Sequence, residues 1–134
     1  MNLLAAVSIA IAADPMPKAN VPDDGQQKAA ALKIAEVYKP DYAKAITPSQ
    51  KVELAKKMLK DARETDGDPV NRYVLLRIAR DIGVQQADLG TAFSIIQQIA
   101  SDYEIDGLKM RVDAATAAVD QVKTVKGNLE CLEL

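Results

Sequence analysis

Four helix starts recur along the middle of this sequence at nearly constant spacing, and no other feature constrains the fold as strongly. Thr47-Pro48-Ser49-Gln50 puts a Thr N-cap before a Pro at the first helical position, where its missing N–H costs nothing. Gln50 stands where its side chain can reach back and close a capping box. Asp68-Pro69 repeats the first half of that device, and Asp88 and Asp106 each precede an apolar-periodic run. These starts lie 21, 20 and 18 residues apart. Such an interval holds one helix of about four turns plus a short turn, so the chain is expected to run back and forth as antiparallel helices. An earlier helix is expected from Asp23 or Asp24 until Pro40 breaks it. The expected fold is therefore all-α, with about five helices in a bundle or short solenoid.

The apolar spacing agrees with that division. Val52, Ala55, Met58, Leu59 and Ala62 make one face of the second helix, while Lys56, Lys60 and Glu64 line another. Leu89, Ala92, Phe93, Ile96, Ile99, Ala100 and Tyr103 form a stripe on the fourth helix, and Leu108, Val112, Ala115, Val119 and Val122 form one on the last. The third differs: Val70, Tyr73, Val74, Leu75, Leu76, Ile78, Ala79 and Ile82 leave it apolar nearly all round. A helix of that kind must be covered on several sides, which places it at the centre.

Three segments surround or precede this domain. Residues 1–13 (MNLLAAVSIAIAA) are apolar and end in the small-x-small pattern Ala10-Ile11-Ala12, which reads as a secretory signal. The segment lacks a basic n-region and is shorter than the usual ~15 to 30 residues; the competing readings are an apolar N-terminal strand or helix packed on the core, or a start codon placed too far downstream, and the alternative location is cytoplasmic. It is also too short for a stable membrane span, which needs about 20 apolar residues. Residues 14–24 contain Pro15, Pro17 and Pro22, which fix φ and remove amide donors, so an extended linker is expected. The helical domain then covers 25–126, followed by a tail at 127–134.

Composition excludes chemistry more than it proposes any. The sequence has no His, which removes the side chain most used for acid/base work, triads and metal ligation near neutral pH. Cys131 is the only Cys, so there is neither an intrachain disulfide nor a thiolate cluster. A net charge of -2 with interspersed signs does not suit a nucleic-acid binder, and the six glycines are scattered singly, without a phosphate loop. Glu64-Thr65-Asp66-Gly67-Asp68 invites a calcium reading. An EF-hand loop opening at Asp66, however, needs an acidic ligand at its twelfth position, where Arg77 stands. The simpler reading is that Gly67 turns the chain and Asp68 caps the next helix. No catalytic residue, cofactor site or metal site is expected.

Arg72, Arg77 and Arg80 are the one candidate for binding. They share a helix, where guanidinium forks would suit a carboxylate or phosphate of a partner. Their bland reading is surface ion pairing, with Arg77 and Asp81 at i, i+4. The basic residues from Lys51 to Arg63 are interleaved with Glu53 and Asp61 and read as a solvated face.

The stretch from about Tyr42 to Ala118 resembles a helical region of uncharacterised exported planctomycete-type proteins. The resemblance lies in Thr47-Pro48, Leu54-Ala55-Lys56-Lys57-Met58-Leu59, Asp68-Pro69, Arg72-Tyr73-Val74-Leu75-Leu76 and Ala87-Asp88-Leu89. It implies export and supports the helix boundaries, and it carries no catalytic motif. The pair from Asp68 to Tyr103 also has the length of a tetratricopeptide-like hairpin, about 34 residues. With Ala92 on the repeat's small position, Arg80 and Gly83 fall where its glycine and aromatic should be, so the likeness is one of architecture. The expected function is a non-catalytic protein-interaction or spacer domain of an exported protein. The alternative is an accessory subunit or small enzyme working through Asp, Glu and Lys.

Overall fold

The computed structural model describes residues 17–65 and 67–132, with only the backbone described from 124 onward. Among the described residues five helices follow one another: α1 (Asp24–Lys44), α2 (Pro48–Glu64), α3 (Pro69–Gln85), α4 (Leu89–Asp102) and α5 (Gly107–Leu132). Among the described residues there is no strand, only an isolated bridge between Ala19 and Tyr103. The proposed signal at 1–13 lies outside the described residues.

Local chemistry sets each start. Thr47 Oγ1 accepts from the Gln50 N–H at 3.2 Å while Gln50 Oε1 accepts from the Thr47 N–H at 3.0 Å, a closed capping box. Asp23 and Gln26 close a second box at the head of α1, at 2.8 and 3.1 Å. Asp68, Asp88 and Asp106 each accept a backbone N–H three residues on, all at 3.0 Å. Each cap satisfies a donor that the helix itself leaves unpaired.

Pro40 does not break the first helix, which runs on to Lys44. The proline deprives the Glu36 carbonyl of its donor, but both residues are exposed, so water can take that carbonyl. Anchors to α2 stand on either side of the defect. Before it, the buried Tyr38 donates to Asp61 at 2.6 Å; after it, Asp41 pairs with Lys57 at 3.1 Å. Tertiary contacts thus carry the helix through a residue that local propensity would stop at.

The third helix is the hub, in contact with all four others. Val74, Leu76 and Ala79 are fully buried on it, and they meet a core that includes Met58, Ile95, Ile99 and Tyr103. Gly83 lets the backbones of α3 and α4 approach closely: a Cβ there would stand 3.3 Å from the Ala92 nitrogen. The chain then reverses through Ala87, whose φ of 55° is left-handed. The Asp88 N–H donates to Gly83 O and the Ala87 N–H to Val84 O, both at 2.9 Å, a Schellman closure with Ala in the position that usually takes Gly. The other reversal uses Gly67 at φ 81°, followed by the Asp68 cap, as the sequence led one to expect.

Two boundaries shift. Residues 17–23, described from within the linker expected at 14–24, are not helical, and they are not a free linker. Ala19 donates to Asp102 O at 2.9 Å and accepts from the Glu104 N–H at 2.8 Å, so the strand-like strap lies across the end of α4. The last helix continues through residues 127–132, where a tail was expected, and the backbone of Cys131 belongs to it.

The face that α5 turns inward is also different from the one expected. Leu108, Val112, Val119 and Val122 are 71%, 56%, 50% and 54% exposed, whereas Ala114 and Ala118 are buried. Met110, Ala114 and Ala118 form an i, i+4 ridge, and its small side chains let α5 lie close to α3 and α4. The larger stripe at 108, 112, 115, 119 and 122 therefore points away. Both faces are apolar in sequence, and only packing decides between them.

Candidate functional site

The three arginines of α3 do not form one strip. Arg72 reaches α4, where its Nη2 donates to Asp102 Oδ2 at 2.7 Å, and Gln98 donates to the same oxygen at 2.9 Å. Arg77 reaches α1 and donates to Gln27 Oε1 at 2.6 Å. Arg80 donates through Nε and Nη2 to Asp81 Oδ1 at 3.0 and 2.7 Å. The expected pair of Arg77 with Asp81 is not made, because the neighbouring Arg80 takes that carboxylate. A central helix puts its long side chains within reach of several partners, and sequence spacing shows only those on the same helix.

Arg72 has a further peculiarity: its Nε is buried and makes no hydrogen bond. The guanidinium therefore depends on Asp102. Asp102 ends α4, where a carboxylate opposes the helix dipole, so the ion pair compensates a misplaced charge at both ends.

Of the three, Arg80 alone lines a groove of about 480 Å³ between the C-terminal half of α3, the α4–α5 turn and α5. Val84, Ile105, Met110, Ala114 and Ala117 supply its apolar lining. Charge of both signs surrounds them: Arg80 paired with Asp81, Lys109 with Asp113 at 3.4 Å, and Asp106. An apolar trough with a mixed rim suits an apolar side chain presented by a polar backbone. Ala114 and Ala117 leave room there that larger residues would fill.

A second, smaller cleft of about 230 Å³ holds Tyr38 and Asp61. Burial first, then the hydrogen bond to Asp61, raises the Tyr38 phenol well above its ordinary value. Lys57 stands 5.4 Å over its ring. A phenol held protonated this way is a donor that locks α1 to α2, not a nucleophile. Tyr103 is similar: burial, only partly offset by the Arg72 guanidinium, pushes it up to about 12. It donates to Pro69 O at 2.6 Å and meets Tyr73 edge-on, with ring centroids 5.1 Å apart. Neither bond spans fewer than 23 positions, so no local sequence signal announced them.

Among the described residues, no group of His, Cys, Asp and Glu is placed to hold a metal ion, and no helix is long and apolar enough to cross a membrane. No protein-family model, curated protein or solved structure matches the chain.

Proposed function

We propose that the chain is a non-catalytic protein-interaction module of an exported or cell-envelope protein, and that the groove between α3 and α5 receives an apolar side chain of its partner. The observation that carries this reading is the groove itself, with an apolar lining between charged groups of both signs. The sequence supports it in two ways. It contains no His and a single Cys, and residues 1–13 have the pattern of a secretory signal. The resemblance to exported helical proteins and the tetratricopeptide-like length of the α3–α4 hairpin point the same way, since helical hairpins present extended binding surfaces.

Peptide display panned against the full chain is expected to select an apolar anchor with flanking charges. Ala117 is exposed, so Ala117→Glu should leave the fold intact and weaken the selected peptides about tenfold, or 1.4 kcal/mol. Binding that ignores this substitution would refute the groove. For export, protein purified from its native host should begin beyond Ala12, and an intact Met1 would refute it.

A further inference from the structure

The strap at 17–23 and Arg77 both stand outside the groove, and they meet at Gln27. Arg77 Nη1 donates to Gln27 Oε1 at 2.6 Å, and Gln27 Nε2 in turn donates to Pro22 O at 2.8 Å. A guanidinium on the central helix thus fixes the Gln27 amide with its nitrogen toward the strap. Pro22 is buried at that point, and three residues earlier Ala19 packs against the core.

At its other end the strap holds the base of the groove wall. The Ala19 N–H supplies Asp102 O, one of the last α4 carbonyls, which the helix itself leaves without a donor. Ala19 O accepts the Glu104 N–H, and Glu104 is the middle residue of a three-residue turn closed by the Ile105 N–H on Tyr103 O at 3.0 Å. The next two residues, Ile105 and Asp106, line the groove, and Asp106 caps α5 through the Lys109 N–H.

We infer that the strap is a releasable brace that sets the affinity of the groove. Docked, it fixes the α4–α5 turn and with it the wall formed by Ile105 and Asp106; released, it frees that turn. The inference rests on the reading of the groove as a partner site and adds its regulation.

Two arguments support a brace of this kind. First, it is built to open. Among the described residues, three hydrogen bonds hold residues 17–22, and Pro22 is buried while Pro17, Lys18, Asn20 and Val21 are exposed. An element with so few buried contacts opens at a free energy well below that of global unfolding. Second, its bonds go to the backbone of the turn. Opening strips Asp102 O and the Glu104 N–H of their partners within three residues of Ile105, and a ligand must then order the wall again at a cost in affinity. The coupling is reciprocal, so a ligand that favours the formed groove also favours the docked strap.

Amide hydrogen exchange on the full chain tests the brace without a ligand. Gln27→Ala cuts the tie to Pro22, and Ala19→Glu puts a charge where a methyl packs on the core; neither touches a groove-lining residue. Each is expected to speed exchange at Glu104 and at the groove-lining Lys109 and Met110 at least ~5-fold, with a much smaller change at Val74 and Leu76 in the centre of α3. Faster exchange at Glu104 alone, no change at any of these amides, or an equal rise at Val74 and Leu76 would each overturn the inference. Peptides selected on the groove are expected to bind Gln27→Ala about fivefold more weakly and to slow proteolysis at 17–23 in the parent. Equal affinity for parent and variant would also overturn it. Panning that selects no peptide refutes the groove as a partner site, whereas the exchange test still decides whether the strap braces its wall.

Discussion

Replacing Tyr103 with Ala is expected to lower the unfolding free energy by about 4 kcal/mol, which for a chain of this size is a large share of the total. The side chain is 1% exposed. Its loss empties space beside Tyr73 and removes the bond to Pro69 O that ties the end of α4 to the start of α3. It also loosens the ground under the strap, because Ala19 bridges to Tyr103 and bonds on either side of it. Tyr103→Phe keeps the ring and should cost only about 1 kcal/mol. The pair therefore separates packing from hydrogen bonding, and chemical denaturation of both variants measures the difference. Limited proteolysis at residues 17–23 should accelerate in the Ala variant and change little in the Phe variant.

The same residue makes stability pH-dependent, with a definite sign. Its phenol is raised to about 12 in the fold, against about 10 unfolded. Its contribution is complete below pH 10 and is lost as the pH climbs from 10 through about 12. Over that window the parent is expected to lose on the order of 2 kcal/mol more than Tyr103→Phe. Equal losses in the two proteins would show that the buried hydroxyl is not the titrating group.

The second large effect is expected at Asp102. Asp102→Ala removes the carboxylate that pairs with Arg72, whose Nε makes no hydrogen bond among the described residues. Fully buried pairs cost about 3 to 5 kcal/mol when one member is removed. Here the side chains remain about a quarter exposed, so about 2 to 3 kcal/mol is expected. The double variant Arg72→Met with Asp102→Ala should recover much of that, since it removes the stranded charge while keeping the aliphatic stem over the core. Additive losses in the cycle would mean that the pair is not coupled. The result also bears on the earlier candidate role of Arg72 as a partner-binding residue: a strongly coupled pair holds that guanidinium inside the protein.

Much of the architecture was legible because capping is local chemistry. A Thr, Asp or Gln within three residues of the first helical turn acts through bonds its own segment supplies, so the starts at 47, 68, 88 and 106 could be read directly. The nearly all-round apolar pattern of α3 announced its central place, since a helix of that kind has to be covered on several sides. The candidate site was far less legible. Of the three arginines only Arg80 reaches the groove, and the residues that shape it come from α3, the α4–α5 turn and α5.

Capping residues and apolar spacing led to about five helices, their order and the central place of α3, as found among the described residues. Tertiary structure decided that α1 passes through Pro40, that residues 17–23 bind across α4, and which of the two apolar faces of α5 turns inward. The reason is common to all three. A periodic pattern shows that a face is apolar but not what will lie against it, and that choice is settled by the shape and reach of residues distant in sequence. In α5 the smaller side chains won, because Ala114 and Ala118 allow a closer approach to α3 and α4, and the larger stripe was left outside.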